Sequence, residues 1–102
     1  MRSKTLLFSA AAVAAAGFAA EAEAQETLAQ VQERGHLNCQ VGQPTPGFYA
    51  LADDGTWSGM DVDVCRAVSA AVFGDPDQIE YQSVTSAVRF TSLANGESDM
   101  LS

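Results

Sequence analysis

Asp54-Gly55-Thr56-Trp57-Ser58-Gly59-Met60-Asp61-Val62-Asp63-Val64-Cys65 is the stretch that decides how this chain folds. Asp-Gly makes a tight turn, because aspartate bonds nearby backbone and glycine accepts positive φ without a Cβ clash. A short extended segment through Trp57 follows, and Gly59 separates it from an apolar-periodic run. A helix is therefore expected over 61–73, with Gly74 as its left-handed stop. Asp61 is expected to cap the free N–H groups of its first turn, and Asp63 adds negative charge at the positive end of the helix dipole. Two acids so close also resemble a catalytic or metal-binding pair, but helix-start chemistry already accounts for both.

The neighbouring segments extend this pattern in both directions. Upstream, residues 26–34 read as a short helix. Thr27 and Gln30 have capping-box spacing, Leu28 and Val31 share a face, and Gly35 stops it. Residues 37–42 alternate as a strand. Gln43-Pro44-Thr45-Pro46-Gly47 is a loop, since two prolines and a glycine oppose regular pairing. Residues 48–51 and 56–59 flank the Asp-Gly turn as a hairpin-like excursion. Downstream, 79–82 alternate as a second strand. Thr85 is expected to cap a helix with Ala87, Phe90, Leu93 and Ala94 on one side, ended by Asn95-Gly96, and 99–102 open a third strand. Strand, helix, strand, helix, strand is the grammar of a parallel α/β sheet with flanking helices.

Before all of this lies a targeting segment. Arg2 and Lys4 form a positive start, residues 5–20 are small and apolar, and Ala22-Glu23-Ala24 is an A-x-A site. Residues 1–24 thus read as a signal peptide cut between Ala24 and Gln25, with a cut after Ala22 as the alternative. Residues 25–102 then hold three basic and eleven acidic side chains, so the net charge stays at −8. With no lysine after Lys4, no basic patch exists to neutralise phosphates, which argues against nucleic acid and anionic membrane surfaces.

Export changes how the two cysteines are read. Cys39 shares a strand face with Leu37 and Val41, and Cys65 shares a helix stripe with Val64, Val68, Ala71 and Val72. Both sulfurs are expected in the layer between sheet and helix, as a disulfide; two reduced core cysteines are the other reading. A Cys-x-x-Cys redox motif is absent, and one histidine gives zinc little support.

Gly59-Met60-Asp61-Val62-Asp63-Val64-Cys65-Arg66-Ala67-Val68, closed by Phe73-Gly74-Asp75, resembles the first lobe of the family 3 bacterial extracellular solute-binding proteins, and within them the general L-amino-acid branch. The resemblance runs through the whole of 25–102. It implies a periplasmic-binding-protein-like (type II) first lobe, here truncated: a partial parallel sheet without the hinge or second lobe. It implies a monomeric periplasmic receptor that hands an L-amino acid to an inner-membrane ABC permease, without a cofactor or metal. By itself the piece is expected to bind amino acids poorly. The alternatives are a piece of a periplasmic enzyme on the same lobe, a dehydratase or lytic transglycosylase, and a nonfunctional truncated product.

Open α/β sheets bind ligands at the carboxyl ends of their strands. That rule points to the loop after the first strand. Gln43 and Thr45 are the candidate polar contacts, with plain loop polarity as the competing role. Phe48 is a candidate apolar wall or a core residue. Trp57 is expected to be structural and His36 to lie at the surface. Arg89 is expected to be a surface or inter-element ion-pair residue, because the family's carboxylate-binding arginine follows the third strand. Val88 stands where related chains often carry an acid, which puts a helix-surface ion pair in doubt. N-terminal sequencing of the exported product is expected to read from Gln25; recovery of an uncleaved Met1 form in the membrane would refute the signal assignment.

Overall fold

The computed structural model describes residues 26–102. The expected signal peptide and its Ala24–Gln25 junction lie outside the described residues. Val31–Ser102 forms one compact unit. Residues 26–34 are helical (α1), so Thr27 lies inside the helix and not before it. Gly35 ends it at φ 84°, its N–H bonded to the Val31 carbonyl at 3.1 Å.

Strand β1 (Leu37–Val41) is central. It pairs in parallel with β4 (Ile79–Ser83) on one side and β5 (Met100–Leu101) on the other. Leu37 lies opposite Ile79, and Cys39 lies between Tyr81 and Met100. Helix α2 (Met60–Phe73) occupies the connection from β1 to β4, and α3 (Arg89–Ala94) the connection from β4 to β5. The antiparallel pair β2 (Ala50–Leu51) and β3 (Trp57–Ser58) closes around the Asp-Gly turn as expected. There Asp54 Oδ1 accepts the Thr56 N–H at 3.0 Å, and Gly55 takes φ 87°.

Leu37, Cys39 and Val41 are buried, as their alternation predicts, and meet Val62 and Cys65 of α2 in the core. The buried stripe of α2 runs through Val62, Cys65 and Ser69, while Val64 is exposed. The stripe thus lies toward Val62, not Val64. Gln40 is also fully buried, so β1 is covered on both faces. Ser69 is buried because it works as a polar stitch. Its hydroxyl donates to the Asp75 carbonyl at 2.6 Å and accepts the Gln78 N–H at 3.2 Å, fixing the turn into β4.

At the start of β5, Asp99 holds two elements together. Its Oδ2 accepts the Asn38 N–H at 2.8 Å and an ion pair from Arg34, while its own N–H bonds the Asn38 carbonyl at 2.9 Å. His36 lies near the surface with Glu80 at 3.3 Å. Trp57 packs on the core edge, its ring 6.4 Å from that of Tyr81, in the structural role expected of it.

Two expected caps are corrected. Asp61 makes no capping bond: Gly59 is the N-cap, and the helix begins at Met60. Thr85 caps nothing with its side chain either, because residues 86–88 form a turn and α3 starts at Arg89 behind Val88. The short helix buries Ser92 and leaves Phe90 71% exposed, so the apolar side expected there is not a core face.

Cys39 and Cys65, both fully buried, form a disulfide with Cα atoms 6.2 Å apart. It ties the central strand to α2 across 26 residues of sequence. A loop of that size corresponds to roughly 3–4 kcal/mol in the chain-entropy view. Cys65→Ala is expected to lower unfolding free energy by about that amount in urea titration, and non-reducing peptide mapping to recover the linked pair. Two alkylatable thiols in the freshly isolated protein would refute it.

Candidate functional site

The first turn of an α-helix leaves backbone N–H groups without helical partners. In α2 these are taken by the loop after β1. Met60 N–H donates to the Gly47 carbonyl at 3.0 Å, and Asp61 N–H to the Phe48 carbonyl at 3.3 Å. Asp61 is not the cap because the helix starts before it, at Met60, and the Asp63 N–H that it would have taken bonds to the Gly59 carbonyl at 3.0 Å. The approach depends on Gly59, whose φ is 126° and whose missing Cβ would overlap the Phe48 carbonyl.

The loop is also braced within itself. Thr45 and Tyr49 form a single antiparallel bridge, with N···O distances of 2.8 and 2.9 Å, despite the flanking prolines. The Thr45 hydroxyl donates to the Gln43 carbonyl at 3.0 Å. Tyr49 turns inward and its ring lies over Gly42, where a Cβ would come within 2.6 Å of the ring edge.

Beyond β4 the chain stays beside this loop. Val84 N–H bonds the Val41 carbonyl at 3.0 Å, and the Ser83 hydroxyl lies 3.4 Å from the Gly42 carbonyl. Between the two loops, at the carboxyl ends of β1 and β4, opens a cleft of about 240 Å³. Gln43, Thr45 and Tyr49 line it from one side, Ser86 and Arg89 from the other. Gln43 and Thr45 therefore lie at the strand-end cleft that the sequence pointed to. Phe48 does not: it is 45% exposed, outside the cleft and outside the core, because its backbone is held on α2 while its neighbour Tyr49 turns in.

Arg89 is the main addition. It is half-buried in the cleft and forms no ion pair among the described residues. Its Nη2 donates to the Ser102 main-chain oxygen at 3.0 Å, while its buried Nε has no partner among them. A buried cationic N–H without an acceptor is costly, and a carboxylate is the kind of group that would satisfy it. The sequence signal was an arginine four residues past a helix-start threonine. Counted as a helix residue it looked like surface; placed at the first helical position it faces the strand ends.

A larger cavity of about 440 Å³ lies against the hairpin, between Trp57 and Tyr81. Its arginine, Arg66, is already shared by Asp77 at 3.4 Å and Asp63 at 3.7 Å, so it lacks the unpaired charge of the strand-end cleft. Among the described residues no group of acids, histidines or cysteines is arranged to hold a metal ion, and no helix is long and apolar enough to cross a membrane.

No protein-family model matches the chain. Individual relatives do. The general L-amino acid-binding periplasmic protein AapJ of Rhizobium johnstonii is 41% identical over 97 residues, covering 95% of this chain and 28% of AapJ. YhdW of Escherichia coli O157:H7 is 46% identical over 93 residues, 91% of this chain and 27% of its own length. Among solved structures, a periplasmic binding protein of an ABC transporter from Brucella ovis, with glutathione bound, superposes with TM-score 0.72 at 45% identity. That match covers 74% of this chain and 23% of the other.

The relatives and structural neighbours that this stretch resembles are family 3 solute-binding proteins, named as amino-acid ABC transporter-binding proteins. The stretch spans about a quarter of the length of the curated relatives it matches. The type II periplasmic-binding-protein fold is borne out, as a partial α/β domain. The fold also occurs in an ancestral cyclohexadienyl dehydratase, with TM-score 0.59 at 22% identity, a likeness of fold alone.

The phenols at the two cavities share one perturbation. Burial pushes Tyr49 above its usual value of 10.0, with the Asp61 carboxylate adding to it and Arg89 opposing. Burial also raises Tyr81, against the opposing charge of Arg66. Folding thus favours the protonated phenols. Their contribution to stability is full below about pH 10 and is lost as pH rises through the higher folded values. Ultraviolet titration of these two tyrosines is expected to show both ionising above 10 in the folded chain and nearer 10 in urea; a phenol titrating below 10 in the folded chain would contradict it.

Proposed function

We propose that the strand-end cleft is one wall of an L-amino-acid site, and that the protein acts as a periplasmic receptor delivering its ligand to an inner-membrane ABC permease. The observation that carries this reading is Arg89, a half-buried guanidinium whose Nε lacks an acceptor, set among Gln43, Thr45 and Ser86. Arg89 would hold an anionic group of the ligand. Gln43 and Ser86 would supply neutral hydrogen bonds, and Thr45 would accept through a hydroxyl whose hydrogen is already given to Gln43. None of these groups forms a nucleophile–base pair, which favours capture of the ligand without chemistry on it. The names of AapJ and of the Brucella ovis structure support transport over catalysis. The A-x-A site before Gln25 supports export, and the signal peptide over 1–24 remains part of this proposal.

One wall encloses little of a ligand. Affinity of a clamp comes from burying most of the ligand surface and replacing the water around its charges. Calorimetric titration of L-amino acids into residues 25–102 is expected to show no useful binding. A chimera in which residues 26–102 replace the matching segment of AapJ is expected to bind. Within that chimera Arg89→Met should weaken binding by at least about tenfold, as loss of a charge-assisted contact does. Equal affinity in the Arg89→Met chimera would refute the assignment.

A further inference from the structure

We propose that the cavity beside the hairpin is a binding site for a free organic cation, a guanidinium or alkylammonium, held against the rings of Trp57 and Tyr81 by the carboxylates of Asp63 and Asp77. This cavity shares no lining residue with the strand-end cleft, and the inference does not rest on that cleft's assignment.

The described lining of the cavity falls entirely within residues 55–81. β3 supplies Trp57, α2 supplies Asp63 and Arg66 about one turn apart, and β4 supplies Tyr81. Asp77 comes from the turn before β4, which is firmly held. Asp75 Oδ1 accepts the Asp77 N–H at 2.9 Å, and the Ser69 hydroxyl joins Asp75 to Gln78. At about 440 Å³ the cavity is of the size that takes a small molecule.

Its charges do not balance. Two carboxylates face one guanidinium, and Arg66 reaches each through a single nitrogen, Asp77 Oδ1 at 3.4 Å and Asp63 Oδ1 at 3.7 Å. Neither contact uses the second carboxylate oxygen, and both acids keep most of their side chains exposed. Burial raises the Tyr81 phenol, and the charges that act on it are those of Arg66, Asp77 and Asp63, so all three stand around that ring. An aromatic face attracts a cation within about 6 Å of its centroid. The Trp57 and Tyr81 rings, with centroids 6.4 Å apart and planes tilted by 41°, thus form two walls beside one unit of uncompensated negative charge. An anion would meet that same charge and be repelled. Among the described residues no acids, histidines or cysteines are arranged to hold a metal ion, which favours a cation whose hydrocarbon part can lie on the rings.

The probe is butylguanidinium chloride, with butylurea as the uncharged molecule of like shape. Trp57 is the only tryptophan of the chain, so its emission reports on the cavity directly. Butylguanidinium is expected to change that emission saturably, at concentrations where butylurea and matched sodium chloride do not. Asp63→Asn and Asp77→Asn alter exposed side chains, and each is expected to raise the half-saturating concentration about two- to fivefold, as loss of one exposed charge partner does. Arg66→Gln removes the competing cation and is expected to lower it by a similar factor. A blocked Gly-Arg-Gly tripeptide, which carries the same guanidinium on a peptide, is expected to bind no tighter than butylguanidinium. Absence of a saturable response, an equal response to butylurea, or a half-saturation unmoved by both Asp→Asn changes or raised by Arg66→Gln overturns the proposal. Tripeptide binding more than about tenfold tighter overturns the free cation as occupant and assigns the cavity to a basic peptide segment.

Discussion

Two carbonyls on one helix end hold the strand-end cleft of this structure in place. The Gly47 and Phe48 carbonyls fill the first N–H positions of α2, where a capping side chain would otherwise stand. Gly59 permits the contact because any Cβ there would collide with the Phe48 carbonyl. Once the loop is docked on the helix, Tyr49 follows inward over Gly42 and Gln43 and Thr45 are presented at the ends of the strands. The helix N-terminus is thus satisfied by the same backbone that shapes the cleft, so the cap and the site are one interaction.

The remaining ties protect that geometry from different directions. The Cys39–Cys65 disulfide fixes α2 to β1, which keeps the helix end at a constant height above the strand end. Asp99 fixes β5 to β1 through the Asn38 backbone and to the end of α1 through Arg34. Because β5 delivers Ser102, these bonds also set where Tyr49 and Arg89 find their shared acceptor.

The fold was largely legible in the residues. Alternation in Leu37–Val41, the Asp54-Gly55 turn and the Gly59–Gly74 helix frame are local signals, and local signals survive folding. The helix over 26–34 and the hairpin followed from the same kind of evidence. The site was legible only as a region. The rule that open α/β sheets bind at strand ends led to Gln43 and Thr45, but it also suggested Phe48, which is exposed, and it passed over Tyr49, Ser86 and Arg89. Phe48 and Tyr49 are adjacent aromatics, and no local rule says which one turns in.

The sequence by itself determined the order of strands and helices, the helix stops, the likeness to amino-acid receptors and the face that carries Cys39. These depend on periodicity, backbone freedom and side-chain type, all of which are properties of neighbours along the chain. Only the tertiary structure decided who caps α2 and where Arg89 points. Asp61 was a sound local cap, yet the helix starts earlier, at Met60, and the N–H groups of Met60 and Asp61 go to the Gly47 and Phe48 carbonyls of the docked loop. Arg89 became a cleft residue because α3 starts late and β5 brings the Ser102 oxygen alongside it. Contacts between segments far apart in sequence outweighed local preference at both points, since they bring partners to the helix-start N–H groups and to the Arg89 Nη2 that no neighbour along the chain supplies.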